Sequence, residues 1–394
     1  MIDISRKSWH KYFLFGSLYF SEGLQWSLTA VIIPIYLLDK GFSLPLATLV
    51  AGVGGAPWYL KFVFGPTTDY FYQFGRKPFI IVGGLLGAIS LFVLIYIDPL
   101  SFLIPFALFL FLSHLGIIYM DVSCDGWAIQ ISKEKERGKV NGAMWAGIFT
   151  GMAVGTSVIA SIAQVYGYGM SFLAGGSIIL VLMIYPFLVK EVKILKKRPK
   201  IASLLKEEFK KRTTQLIALF GIVSGIASGL ILFVIPLYMK TILQMDVGQI
   251  GLVTTVYTIT LGIGGLLGGA LADRWGRKMV LFIFISASIV TAALIFANTW
   301  QIFAVIYGVI GFFGGGWIAA SCALVMDITN PKIGATQYSI LMSITNFGEE
   351  GIGTISGSLV VLLGFGRVFL FSAWMCGPAL LILYFIRLKK KDLY

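Results

Sequence analysis

The chain has 394 residues, 58% of them hydrophobic and only 12% charged. A soluble domain carries about 25% charged residues, so this chain lacks the polar surface that a water-facing fold of its size requires. The formal net charge is +13, but the basic residues stand in short clusters between apolar runs. That pattern is a membrane-topology signal and argues against a nucleic-acid partner.

A bilayer core is crossed by about 20 helical residues. Twelve runs reach that length: 11–38, 45–71, 78–97, 101–132, 138–164, 168–190, 214–240, 248–272, 279–297, 300–327, 333–362 and 366–387. The first is too long for a signal-peptide core and has no cleavage site, so it is expected to stay as a membrane helix. It carries Glu22 near its middle, on one helical face with Tyr19, Trp26 and Thr29. Span two carries Trp58 and Lys61, and span four carries His114, Asp121 and Asp125 on one stripe. Trp317 lies inside span ten. Span eleven carries adjacent Glu349 and Glu350, about 100° apart, so one of the two is expected to face a pathway. Cys124, Cys322 and Cys376 all lie in apolar runs, with no metal-ligand or disulfide spacing, and neither a metal nor a cofactor is expected.

If the N-terminus is cytoplasmic, 27 of the 31 Lys and Arg residues fall on the inside. Lys40, Lys240 and Arg367 fall outside, and Lys61 lies within a span. Both termini are therefore expected in the cytoplasm. The basic linker at 191–213 divides the spans six and six. It reads equally as an amphipathic helix on an anionic leaflet or as a solvated connection.

The two halves repeat one another. Pro34 and Pro236 are 202 positions apart, as are Gly23 and Gly225, and Gly75-Arg76-Lys77 precedes Gly276-Arg277-Lys278 by 201. Such a duplication is one of the known transporter layouts.

Gly269, Leu271, Asp273, Arg274, Gly276, Arg277 and Lys278 resemble the signature of the major facilitator superfamily. Gly65, Asp69, Gly75, Arg76 and Lys77 form a looser first copy. The stretches "LKFVFGPTTDYF" (60–71) and "DVSCDGWAIQISKEKERGKVNG" (121–142) resemble the branch that includes muropeptide permeases and acetyl-coenzyme A transporters. The resemblance implies an all-α integral membrane protein of twelve helices in two pseudo-symmetric halves, 1–190 and 214–394. Glu22, Asp121 and Asp125 would face a central pathway, flanked by Glu349 or Glu350. The motif residues Asp69, Arg76, Lys77, Asp273, Arg274, Arg277 and Lys278 would form a cytoplasmic gate. Gly147, Gly151 and Gly155 in span five, and Gly262, Gly265 and Gly269 in span eight, would let those spans approach across the halves.

Ionisable residues within a span cost roughly 2.5–3.5 kcal/mol each and are functional candidates by default. Glu22 suits a proton carrier, since its carboxyl can exchange between charged and neutral forms as its surroundings dry. Lys61 either binds an anionic solute or neutralises Glu22 or an aspartate. Intramembrane tryptophans suit an amphiphilic ligand. The expected function is secondary transport of an amphiphilic, anionic solute with protons, by a monomer in a prokaryotic plasma membrane. The alternative is a proton-antiport exporter of drugs or lipid-like compounds. No nucleotide-binding, zinc-protease or serine-hydrolase motif is present, and no enzyme is expected.

Overall fold

A computed structural model of the protein describes residues 8–71, 74–132, 134–191, 201–297, 299–330 and 333–387. Among these, every regular element is a helix. Span one is α1 (Ser8–Ser27), a π-helical stretch (Leu28–Ile32) and α2 (Ile33–Asp39). Span two is α3 (Leu44–Gly55), a 3-10 turn (Ala56–Trp58) and α4 (Lys61–Tyr70). Then come α5 (Lys77–Leu94) and α6 (Leu103–Ile131), followed by span five as α7 (Glu134–Val154), a second π stretch (Gly155–Ile159) and α8 (Ala160–Tyr166). Span six is α9 (Tyr168–Leu182) with α10 (Ile184–Leu188). The linker helix α11 (Ile201–Phe209) precedes α12 (Arg212–Thr241) and α13 (Val247–Trp275). Last are α14 (Arg277–Ala287) with a 3-10 stretch (Ser288–Phe296), α15 (Trp300–Ile328), α16 (Gly334–Leu363) and α17 (Phe365–Phe385).

Ten of the described helices are long and apolar enough to cross a membrane. The two expected spans outside that set, 11–38 and 333–362, are also helical over their length. They are less apolar because they carry polar side chains: Glu22 and Gln25 in one, Asn346, Glu349 and Glu350 in the other.

Local breaks have local causes. Pro34 lacks an N–H and its ring crowds the carbonyl four residues back, and the π stretch ending at Ile32 absorbs that misfit. Pro57 tightens span two into a 3-10 turn, which sets Trp58 and Lys61 at the break. Left-handed backbone recurs at matching junctions: Gly75 (φ 87°) and Gly276 (φ 88°) within the two basic motifs, Gly167 (φ 87°) and Gly364 (φ 79°) before the last span of each half. Glycine adopts this region without the Cβ clash that other residues meet.

The contacts divide the chain into two compact units, one of residues 1–196 with 245–255, the other of residues 197–244 with 256–394. In the first, α1 packs on α7 with backbones nearly touching: a Cβ on Gly23 would lie 2.0 Å from the Ile148 carbonyl oxygen. In the second, α12 packs on α16 in the same way, with a Cβ on Gly225 falling 2.2 Å from the Thr345 carbonyl oxygen. The repeat-related pair Gly23 and Gly225 thus performs one task twice, seating the first span of a half against its fifth.

Spans five and eight do approach closely, but not at the glycines expected. A Cβ on Gly251 of α13 would lie 2.0 Å from the Thr156 carbonyl oxygen, and Thr156 hydrogen-bonds Thr255 at 2.9 Å, all within the first unit. Gly147 and Gly151 face Gly16 and Phe20 of α1, and Gly155 faces Ser27, all within the first unit. Further along α13, Gly264 and Gly268 meet Phe312 and Gly316 of α15 within the second unit. Gly269 has only Ala319 near it, at 3.9 Å.

Candidate functional site

The first unit gathers the ionisable residues Glu22, Lys61, Asp121 and Asp125 at one place, with His114 further along the same pair of helices. Helices α1 and α6 run antiparallel, and their facing side chains pair in sequence. Phe15 meets Trp127 edge-on, Tyr19 donates its hydroxyl hydrogen to Asp125 Oδ1, Glu22 lies against Asp121, and Thr29 bonds His114. The break in span two delivers Lys61 into this row. Its ammonium pairs with Asp121 Oδ2 and lies 3.8 Å from Asp125 Oδ2. Three carboxyls therefore surround one ammonium. The Asp121 side chain is 1% exposed, that of Lys61 14% and that of Asp125 36%. One Glu22 carboxyl oxygen, Oε2, is buried with no hydrogen-bond partner.

His114 is a crosslink between helices. The Trp58 indole, a donor only, bonds His114 Nδ1 at 3.0 Å. Nδ1 must therefore accept, and Nε2 carries the hydrogen donated to Thr29 Oγ1. The imidazole is neutral and ties the π stretch of span one, α6 and the Pro57 turn together. Trp26 is half-buried on the Glu22 face of α1.

In the second unit Glu349 accepts a 3.0 Å hydrogen bond from Ser228 of α12. Glu350 is 6% exposed. Trp317 is packed in the apolar core with Phe284, Ala320 and Leu324, so the structure gives it a packing role and does not bring it to the acidic residues.

The repeated basic motifs make equivalent contacts inside their own halves. Lys77 Nζ donates to the Phe187 and Val189 carbonyls at 2.9 and 2.8 Å. Lys278 Nζ donates to the Tyr384 and Ile386 carbonyls at 3.2 and 2.7 Å. Each lysine thus caps the C-terminus of the last span of its half, where unpaired carbonyls and the helix dipole favour a cation. The guanidinium of Arg76 bonds Thr68 at 2.9 Å and lies over Gly126, whose absent side chain makes room for it. The Arg76 and Lys77 backbone amides donate to Glu191. Arg277 pairs with Asp273 and, at 3.1 Å, with Asp327. Arg274 is exposed. The Asp69 side chain lies outside the described residues.

Sequence reasoning missed Glu191, Asp327 and Ser228, and placed Tyr19 and Thr29 on the Glu22 face without assigning them partners. A signal for Asp327 was present: it follows Asp125 by 202 positions, the offset of the proline and glycine pairs.

In the linker, Glu208 accepts hydrogen bonds from Asn330 at 2.8 Å and Lys211 at 2.6 Å. Burial raises its carboxyl, but these two donors more than reverse that and hold it below the ordinary carboxylate range. Helix α11 is thus fastened to the turn after α15.

Comparison with known proteins agrees with this architecture. The chain is 23% identical over 390 residues to the anhydromuropeptide permease of Escherichia coli (strain K12), covering 93% of this chain and 78% of that protein. It is 24% identical over 374 residues to the proton-coupled antiporter flippase LtaA of Staphylococcus epidermidis, covering 89% of each. Among solved structures, a bacterial homologue of the human lysosomal transporter Spinster superposes with a TM-score of 0.73 at 12% identity, covering 96% of this chain and 97% of that one. The nucleoside transporter NupG gives 0.73 at 14% identity, covering 96% and 99%. These two show the fold. The family model of the Major Facilitator Superfamily matches residues 15–223 and 217–393, and the chain belongs to that superfamily of membrane transporters.

Proposed function

We propose that the protein moves an amphiphilic, anionic organic solute together with protons, by the alternating access of its superfamily. The observation that carries this reading is the sharing of Lys61 between Asp121 and Asp125, with Glu22 beside them. While the carboxylates are charged, Lys61 is compensated, and a bound anion would strand an aspartate in a low-dielectric site. Protons arriving on Glu22 and the aspartates free the ammonium, and an anionic group of the solute takes their place. Loss of the protons re-forms the pairs and expels the solute. Proton binding thus favours solute binding, which is the linkage of a symporter. His114 holds the helices in register, and Trp26 offers an aromatic surface to the apolar part of the solute.

Under this reading both termini are cytoplasmic, and the monomer sits in a bacterial inner membrane. Lys77 and Lys278 serve as fixed caps, with Arg76 and Arg277 anchored in the same halves. Gating falls to Asp273 and Arg274 at the exposed end of α13, with Asp69 as their first-half counterpart.

A second reading is proton antiport of a lipid-like or drug-like compound, favoured by the similarity to a proton-coupled antiporter flippase. There the solute would displace protons from the same carboxylates.

The test is reconstitution in liposomes with an internal pH dye and a panel of muropeptides, acyl-coenzyme A species, sugars, amphiphilic cations and lysolipids. External solute that acidifies the lumen supports symport, and solute that alkalinises it supports antiport. Glu22→Gln is expected to abolish accumulation against a gradient. If that variant still concentrates solute, Glu22 is not the carrier.

A further inference from the structure

Among the described residues, the second unit buries a carboxyl with no cation paired to it. Glu350 is 6% exposed, and its Oε2 atom has no hydrogen-bond partner. Between Arg212 and Arg387 the basic residues are Lys240, Arg274, Arg277, Lys278, Lys332 and Arg367, with no histidine. Lys240 closes α12, Arg274, Arg277 and Lys278 stand at the α13–α14 junction, and Arg367 is in the first turn of α17. Lys332 precedes α16.

Helix α16 packs against α12, α15 and α17. The charged residues of those helices are Arg212 and Lys240, Asp327, and Arg367, all in terminal turns. Their other titratable side chains are Tyr238 on α12, Tyr307 and Cys322 on α15, and Cys376 and Tyr384 on α17. None supplies a positive charge. The charged neighbour that acts on Glu350 is Glu349, of the same sign. Glu349 itself bonds Ser228 and lies near Tyr257.

An ionised carboxylate in such a place loses its hydration and gains no counter-ion, and the response of a buried group is to neutralise. We propose that Glu350 is a proton-binding site of the second half, holding its proton at neutral pH and separate from the Lys61 cluster. The site continues along one face of α16. Ser343, seven residues earlier, is also buried with an unpartnered hydroxyl, and Asn346 lies on the stripe between them. Ser343 and Asn346 extend the polar face of α16 on which the carboxyl stands. The inference stands whether or not the first-half cluster couples transport.

The experiment is infrared spectroscopy of the full-length protein in a detergent free of ester groups, so that the protonated-carboxyl band is unobscured. At neutral pH the wild-type protein is expected to show that band. One component should vanish in Glu350→Gln and persist in Glu22→Gln. In Glu350→Asp the component should be displaced rather than lost, which keeps the test decisive if the glutamine variant does not fold. A wild-type protein without the band, or a band unchanged in Glu350→Gln or in Glu350→Asp, overturns the proposal. Because no solute is needed, this outcome is read independently of the transport assay.

Discussion

Replacement of Lys61 by methionine tests the central ion pair without any knowledge of the solute. The change keeps much of the side-chain volume and removes the only positive charge that the described residues place in the first-half cluster. At the 3.8 Å separation of Lys61 and Asp125, Coulomb's law with an effective dielectric of about 20 gives about 4 kcal/mol. Asp125 is 36% exposed, and water screens part of that attraction. Asp121 is closer and 1% exposed, so its pair carries most of the energy. Removing one member of a buried pair costs about 3–5 kcal/mol, because the other charge is left stranded. Lys61→Met is therefore expected to destabilise the protein by about that amount. The double variant Lys61→Met with Asp121→Asn removes the stranded charge as well and should recover most of the loss. Thermal unfolding followed with a thiol-reactive fluorophore suits the measurement, since Cys124, Cys322 and Cys376 are all free and buried. A double variant no more stable than Lys61→Met alone would refute the pairing.

Three further outcomes follow from the packing and the linker. Gly23→Val and Gly225→Val each drive a Cβ into a facing backbone carbonyl that cannot rotate away, at 2.0 and 2.2 Å. A loss on the order of 3 kcal/mol is expected for each, read as reduced yield of monodisperse protein, while Gly142→Ala, with nothing within 4 Å, serves as the neutral control. Lys278→Met removes the cap on the end of α17 and should cost about 0.3–1 kcal/mol, visible as faster amide hydrogen exchange over residues 383–386 but not at the centre of that helix. The Glu208 carboxyl lies below its ordinary value in the folded protein. Its contribution to docking α11 is therefore complete above the unfolded carboxylate range near about 4.3 and is lost as pH falls through the folded value. The protection factor over α11, that is exchange corrected for the intrinsic rate at each pH, should fall on acidification in the wild type and be independent of pH in Glu208→Gln.

Much of the site was legible because the membrane leaves few reasons to keep a charge. Glu22, Lys61, Asp121 and Asp125 stand out in apolar runs, and helical spacing puts the two aspartates on one stripe. What spacing within one helix cannot supply is the partner on another. Lys61 had two open readings, anion binder or neutraliser, and the structure pairs it with both aspartates. Trp317 looked like a pathway aromatic and is packed in a core, because position along a span says nothing about which neighbour covers it. The span-five glycines expected to face span eight lie against span one for the same reason.

The sequence by itself determined that the chain crosses a membrane and repeats its first half in its second. Hydropathy and repeat offsets are properties of the linear chain and need no contacts to be read. The tertiary structure alone decided what the repeats are for. It showed that Gly23 and Gly225 seat equivalent helix pairs, that Lys77 and Lys278 cap equivalent helix ends, and that one half compensates its buried acids with a lysine while, among the described residues, the other pairs no cation with Glu350. Those are relations between residues far apart in the chain, and only packing brings them within reach of one another.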